Sequence, residues 1–209
     1  MIKIITIERE YGCGGGEIAQ LLAQRLGWKL WDQWLTEEIA RLAKCPKAVV
    51  EAREERNDPL YYRLFKSFMR GSYEGSINAP NLNLVDSETI LKIAKRVVEH
   101  AAERGNCVIV GRGSQQFLKG RADTLRIFLY APREDKVRRL LARGKSEREA
   151  EELADTVDRE RADFIQKYFN VEWPDRGIYH SMVNTTIGDE AVVHMILELK
   201  ETYQARATA

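Results

Sequence analysis

The 209-residue sequence is poor in the residues that build metal sites and disulfide frameworks, with three cysteines and three histidines. Cys13, Cys45 and Cys107 are odd in number and widely spaced, a pattern that fits neither a zinc motif nor paired disulfides and predicts a reducing environment. The histidines show no metal-ligand spacing and no grouping with serine and aspartate. These absences argue against a zinc domain, a disulfide-stapled domain and a triad hydrolase.

Long apolar runs and a surplus of one charge are also missing. No apolar segment approaches the length of about 20 residues that a transmembrane helix needs. The amino terminus is predicted to form a strand and not a signal peptide. We therefore predict a cytoplasmic protein that does not bind membranes. The formal net charge of +1 provides no overall positive field for nucleic acid. Length and a hydrophobic content of 44% suit a single domain over residues 1–209.

What the sequence does contain is a glycine-rich loop between a predicted strand (2–8) and a predicted helix (15–27). The loop reads Gly12-Cys13-Gly14-Gly15-Gly16. Inward-facing backbone N–H groups and the positive end of a helix dipole together form a phosphate site. The alternative is a plain glycine-rich turn that lets the helix pack closely against a sheet.

This loop departs from the Walker A pattern G-x-x-x-x-G-K-[S/T]. With Gly14 as the second glycine, Gly15 occupies the lysine position and the Ser/Thr position falls on Gly16 or Glu17. The backbone cradle is retained. The cation that reaches the terminal phosphates and the hydroxyl that holds Mg²⁺ are missing.

The rest of the chain alternates strand patterns with helix patterns. Strands are predicted near 29–31, 107–110, 125–130 and 182–187, and helices over 34–44, 87–104 and 147–169, with others beginning at 132 and 189. Such alternation predicts an α/β fold with a doubly wound parallel sheet flanked by helices. Ligands of these folds bind at the carboxyl ends of the strands.

Two residues follow predicted strands at that edge. Asp32 has the chemistry to accept hydrogen bonds from a base or a sugar, although capping the next helix is an equally good role for it. Arg112 lies between Gly111 and Gly113, where its guanidinium can bind two phosphate oxygens at once. The alternative for Arg112 is a solvated side chain on a glycine-lined turn.

A charge run, Asp158 to Asp163, lies on the predicted helix 147–169. Such runs are usually solvated faces. The same run also has the composition of a lid, in which Arg159 and Arg161 would stabilise the negative charge of a transferring phosphoryl group.

Taken together, these segments resemble the cytidylate kinase-like family, a bacterial branch of the nucleoside monophosphate kinases with a P-loop fold. The resemblance covers nearly the whole chain, and the segments that carry it are Ile5–Gly15, Trp31-Asp32, Gly111-Arg112-Gly113, Val157–Arg161 and Tyr168-Phe169.

The resemblance implies a P-loop core that holds ATP and Mg²⁺, a helical insertion over about 36–85 that closes on the acceptor, and a lid over about 143–165. By position, the donor phosphates would be bound by Gly12, Cys13, Gly14, Gly15, Gly16 and Glu17. Asp32 and Arg112 resemble acceptor-binding residues, and Arg159 and Arg161 resemble lid arginines.

The chain departs from the cytidylate kinases at two of these positions, because Gly15 replaces a lysine and Gly113 replaces an aspartate. We predict that Arg9 supplies the missing positive charge. The expected reaction is transfer of the ATP γ-phosphoryl group to CMP, dCMP or a related small acceptor. Two alternatives stay open: a nucleotide-binding pseudokinase without turnover, and a kinase of a non-nucleotide small molecule.

Overall fold

The fold is seen in a computed structural model that describes residues 1–32 and 87–207, where strands alternate with helices as predicted. The strands are β1 (Ile4–Arg9), β2 (Lys29–Trp31), β3 (Cys107–Val110), β4 (Thr124–Tyr130) and β5 (Ser181–Asn184). The helices are α1 (Gly15–Leu26), α2 (Ser87–Arg104), α3 (Ser114–Phe117), α4 (Arg133–Ala142), α5 (Glu147–Phe169) and α6 (Asp189–Ala207).

The five strands form one parallel sheet in the order β2-β3-β1-β4-β5, with β1 at its centre. Ile7 of β1 lies opposite Val110 on one side and Ile127 on the other. All six residues of β1 are buried, as a central strand requires when helices cover both faces of the sheet. The predicted parallel sheet flanked by helices is confirmed.

Alternate residues of the central strands pack into two separate cores. Ile4 and Ile109 face a core that includes side chains of α2 and α5. Ile5 and Val108 face the opposite core, which α1 and α6 complete. The period of two along each strand divides the apolar side chains between the two layers of helices.

Three details differ from, or lie beyond, the sequence prediction. The last strand ends at Asn184, and Thr185–Ile187 form a 3-10 turn where strand was predicted. The Asn184 side chain accepts the N–H of Thr186 at 3.0 Å, which turns the chain out of the sheet. The short helix α3 was not predicted. The predicted helix 34–44 and the insertion 36–85 lie outside the described residues.

The carboxyl ends of β1, β3 and β5 bring their following segments to one edge of the sheet. The glycine loop follows β1, and the 3-10 turn follows β5. After β3, Gly111, Arg112 and Gly113 all have positive φ, at 63°, 59° and 66°. Three successive left-handed residues turn the chain sharply into α3, and Arg112 holds this conformation although it carries a side chain.

Ser146 and Glu149, at the start of helix α5, have the spacing of a capping box. The Ser146 hydroxyl accepts the backbone N–H of Glu149 at 3.3 Å. The reciprocal half of the box is absent, because the Glu149 carboxylate accepts from Lys145 Nζ at 2.7 Å. The cap therefore depends on one side-chain hydrogen bond.

We expect Ser146→Ala to lower the free energy of unfolding by about 1 kcal/mol, since an N-terminal N–H of α5 loses its acceptor. Ser146→Asp keeps an acceptor and should retain the wild-type value. Urea unfolding of the three proteins, followed by circular dichroism, measures the difference. Equal stability of Ser146→Ala and wild type would show that the cap contributes nothing.

Candidate functional site

The glycine loop joins β1 to α1 with the geometry of a tight anion-binding turn. Gly12 and Gly14 have φ of 79° and 85°, values that favour glycine. Gly14 caps α1, with no side-chain hydrogen bond at the cap, and its carbonyl accepts the N–H of Ile18 at 3.1 Å. The first turn of α1, which begins at Gly15 and Gly16, therefore presents backbone N–H groups where an anion can approach.

Cys13 and Glu17 differ in how they are available to a ligand. The Cys13 side chain is fully buried, burial raises the pKa of its thiol to about 12, and its carbonyl accepts from Thr185 Oγ1 at 2.6 Å. Only the backbone of Cys13 is placed to bind an anion. Glu17 is exposed on the first turn of α1, where its carboxylate forms an ion pair with Arg143.

Helix α4 covers the glycine loop and places a cation on it. A Cβ atom on Gly14 would lie 2.8 Å from Cζ of Arg139, so the guanidinium rests directly against this glycine. Arg139 Nη2 also donates to Asp189 Oδ1, at the start of α6, at 2.9 Å. The sequence analysis missed Arg139, because an arginine in a charged helix carries no signal of its contact with a distant loop.

The Arg9 side chain lies against both the glycine loop and the turn after β3. A Cβ atom on Gly15 would lie 2.9 Å from Cβ and 2.8 Å from Cγ of Arg9. At the other end of the side chain, a Cβ atom on Gly111 would lie 3.3 Å from Cζ. The Arg9 side chain thus runs from beneath the loop to the turn after β3, and it is buried.

Asp158 of α5 links the start of the loop to both long helices. Its carboxylate accepts the backbone N–H of Tyr11 at 2.7 Å, and from Lys136 of α4 and Arg161 of α5 at 3.0 and 3.3 Å. Arg161 Nη1 donates to the carbonyl of Arg9 at 2.8 Å. The sequence analysis did not assign Asp158 a role, since the same charge run fits an exposed helix face.

Three predicted site residues, Arg9, Arg112 and Arg161, come together at the sheet edge and are buried there with Glu8. Burial, followed by the charge of Arg9, lowers the pKa of Arg112 to about 9 and also lowers the pKa of Arg161. Desolvation and mutual repulsion both disfavour the charged forms. An anion among these three guanidinium groups would relieve both effects.

The same residues line a small cavity of about 20 Å³, closed by Phe164, Ile165 and Trp173. This volume suits about one water molecule. Gly113 also lines the cavity, and a Cβ atom there would lie 2.8 Å from the Phe169 ring. A side chain at position 113 would therefore need the Phe169 ring to shift, and the positive φ of Gly113 also favours glycine there.

The remaining predicted residues, Asp32 and Arg159, lie in contrasting surroundings. Asp32 is buried at the end of β2, and its negative charge acts on Arg112. Arg159 is exposed on α5, and none of the described residues forms an ion pair with it. The solvated-face interpretation of the charge run thus describes Arg159, while Arg161 points into the site.

Comparison with known proteins agrees with this geometry. The family model for the cytidylate kinase-like family matches residues 4–187. The chain belongs to the cytidylate kinase-like family. Over 93 residues it is 28% identical to the cytidylate kinase of Methanosarcina mazei, a match that covers 44% of this chain and 51% of that protein. The chain thus spans about half the length of this curated relative.

Solved structures with a similar fold align with most of the chain. An uncharacterized protein from Eubacterium ventriosum superposes with a TM-score of 0.69 at 20% identity, covering 97% of this chain and 99% of that one. Shikimate kinase from Acinetobacter baumannii superposes with a TM-score of 0.54 at 17% identity, covering 97% and 94%. At these identities the likeness establishes a P-loop kinase fold. No helix in the described ranges combines the length and apolarity needed to cross a bilayer.

The position of the Arg9 side chain explains why residue 15 of the loop is glycine and not lysine. The stem of a side chain at position 15 would collide with Cβ and Cγ of Arg9, atoms too close to the backbone to move away easily. Gly15 and Arg9 are therefore mutually dependent. A lysine cannot be restored at position 15 while Arg9 keeps this path.

We expect Gly15→Lys to lower the free energy of unfolding by about 1–3 kcal/mol, because it overpacks a buried contact. Adding Arg9→Ala should recover at least about 1 kcal/mol of that loss relative to the sum of the two single changes. Gln24→Lys, an exposed lysine on the same helix, is the matched control. Urea unfolding of all four variants gives the coupling. Strict additivity would mean that the two side chains do not compete for one space.

Proposed function

We propose that this protein is an ATP-dependent kinase that transfers a phosphoryl group to a small phosphorylated acceptor, with CMP and dCMP as the first candidates. The observation that carries the proposal is the adjacency of two anion-suited sites at one sheet edge. The glycine loop is one, and the buried arginines are the other. The Arg9 side chain, packed against both Gly15 and Gly111, spans the distance between them.

The donor phosphates would bind at the loop formed by Gly12, Cys13, Gly14, Gly15 and Gly16. The backbone N–H groups at the start of α1 face this position, and Arg139 supplies a cation from above. In the structure Arg139 is paired with Asp189. Phosphates at the loop would attract this guanidinium from the carboxylate, since both contacts lie within reach of one side chain.

The acceptor phosphate would bind among Arg9, Arg112 and Arg161. These three cations are buried beside the carboxylates of Glu8 and Asp32, and Asp158 pairs with Arg161 at 3.3 Å. Because a guanidinium group binds two phosphate oxygens at once, an anionic acceptor suits this site better than a neutral one. The cavity, at about 20 Å³, is smaller than a phosphate, so acceptor binding requires the lining side chains to rearrange.

The residues present fit Mg²⁺ as an ion carried mainly by the nucleotide. Within the described ranges, no three His, Cys, Asp or Glu side chains converge as a metal site. Mg²⁺ in phosphoryl-transfer enzymes is commonly held by one or two carboxylates and the substrate phosphates. Glu17, on the first turn of α1, would be the carboxylate nearest the bound phosphates. The ion would neutralise phosphate charge there.

Phosphoryl transfer requires that the donor and the acceptor be held in position and that the negative charge of the transferring group be stabilised. An oxygen of the acceptor phosphate attacks the γ-phosphorus, the bond to the β,γ-bridging oxygen breaks, and ADP leaves. Arg161 would stabilise the charge on the transferring group from the buried side. Arg159 faces solvent in this structure, so a role for it requires movement of α5. Whether Arg9 acts on the donor phosphates remains a prediction, tested by the kcat of Arg9→Ala.

A coupled assay of ADP release tests the proposal directly, with ATP, Mg²⁺ and a panel of acceptors. The panel should include CMP, dCMP, UMP, AMP and shikimate. We expect turnover with at least one monophosphate and none with the neutral nucleoside cytidine. Tight ATP binding without ADP release for any acceptor would contradict the kinase function. Turnover restricted to an acceptor without phosphate would contradict the assigned acceptor class.

Arg139 and its neighbour Arg138 provide a matched pair. Arg139 lies against Gly14, whereas Arg138 is 75% exposed and pairs with Asp135 on its own helix. We expect Arg139→Ala to weaken ATP binding about tenfold or more, because one charge-assisted hydrogen bond is lost. Arg138→Ala should leave the affinity within about twofold of wild type. Isothermal titration of ATP measures both, and equal losses would remove Arg139 from the donor site.

Arg112→Lys keeps a positive charge but loses the planar fork that binds two phosphate oxygens. We expect the KM for the acceptor to rise about tenfold or more, equivalent to about 1.4 kcal/mol, with a smaller change in the KM for ATP. Initial rates at varied acceptor and varied ATP separate the two constants. An unchanged acceptor KM would place the acceptor elsewhere.

A further inference from the structure

A second cavity lies at the opposite edge of the sheet, away from the proposed kinase site. It has a volume of about 510 Å³ and is formed where the amino ends of β1 and β4 approach the end of α6. The seven residues of β4 separate it from the carboxyl edge by roughly 20 Å, at about 3.3 Å per residue. Its lining includes Ile2, Ala122, Arg126, His180 and Tyr203.

Two arginines line this cavity, and Arg121 is paired with Asp123 at 2.8 Å, whereas the Arg126 guanidinium is half-buried in a different environment. Its Nε donates to the carbonyl of Ile178 at 2.7 Å, and its Nη2 lies 3.0 Å from Nε2 of His180. Among the described residues no carboxylate pairs with it. Burial lowers the pKa of Arg126, which reflects the cost of holding a cation here without a counter-ion.

His180 meets Arg126 at both of its ring nitrogens. Nδ1 accepts the backbone N–H of Arg126 at 2.9 Å, and Nε2 faces the guanidinium. A neutral imidazole has only one acceptor nitrogen. With Nδ1 as the acceptor, the ring proton is on Nε2 and points at an N–H group of Arg126. Burial, followed by the charge of Arg126, lowers the pKa of His180, so the ring stays neutral at pH 7.

Two N–H donors therefore face each other at the cavity with no acceptor between them. One oxygen of an anion, placed on the cavity side of the pair, can accept from both His180 Nε2 and Arg126 Nη2. It would also supply the counter-ion that Arg126 lacks. The remaining lining is mixed: Ile2 and Ala122 are apolar, Thr124 and Gln204 are polar, and the Tyr203 ring packs edge-on against His180 with centroids 4.7 Å apart.

We propose that this cavity binds an organic anion, a carboxylate or phosphate monoester carried on an apolar body, through Arg126 and His180. The anionic group would lie between the two N–H donors, and the apolar body would fill the space beside Ile2 and Tyr203. This site is independent of the kinase reaction, because it shares no residue with the glycine loop or the three buried arginines.

Benzoate, phenyl phosphate and the neutral benzyl alcohol are suitable probes of the full chain. In amide and imidazole ¹⁵N NMR spectra, we expect benzoate to shift the signals of Arg126, His180 and Tyr203 while Gly12–Gly16 stay in place. Phenyl phosphate should shift both regions, since it also suits the loop. Benzyl alcohol should bind at least about tenfold more weakly than benzoate, because it brings no charge. Equal binding of the two would overturn the anionic assignment.

Arg126→Gln removes the cation and should weaken benzoate binding at least about tenfold. Arg133→Gln, a half-exposed arginine paired with Asp155, is the control and should have no effect. If Arg126→Gln fails to fold, the wild-type imidazole spectrum decides. An Nε2 signal of His180 that moves with benzoate supports the site, and one that does not move up to tens of millimolar benzoate overturns it. Failure here would leave the ADP-release assay, and the kinase proposal, unaffected.

Discussion

The Arg9 side chain lies between two backbone segments that approach it too closely to carry Cβ atoms. Its stem occupies the space of a side chain at position 15, and its guanidinium occupies that of a side chain at position 111. Its carbonyl receives Arg161 from α5. One arginine at the end of the central strand thus contacts the glycine loop, the turn after β3 and helix α5.

This arrangement concentrates positive charge where the strands end. Burying three guanidinium groups together is costly, and the lowered pKa values of Arg112 and Arg161 express that cost. Asp158 offsets part of it through Arg161, and at the same time holds Tyr11 at the start of the loop. An anionic ligand bound among these guanidinium groups would reduce that cost, as expected for an acceptor site.

The glycine loop keeps the backbone of an anion-binding turn although position 15 carries no lysine. The backbone turn needs only glycines and a helix start, and both are present at Gly12–Gly16. The positive charge near the loop comes instead from α4, where Arg139 rests on Gly14 and Arg143 pairs with Glu17.

The order of strands and helices, the parallel sheet and the glycine loop could be predicted from the sequence, because hydrophobic periodicity, β-branched runs and glycine clusters are local signals. Arg112, between two glycines after a predicted strand, and Arg161, in a charge run on a predicted helix, could also be proposed as site residues from the sequence. Three features arise only from tertiary packing: the direction of the Arg9 side chain, the contact of Arg139 with Gly14 and the contact of the Phe169 ring with Gly113. Each of these depends on the packing of residues far apart in the chain, and a buried arginine and a solvated one have the same local sequence pattern.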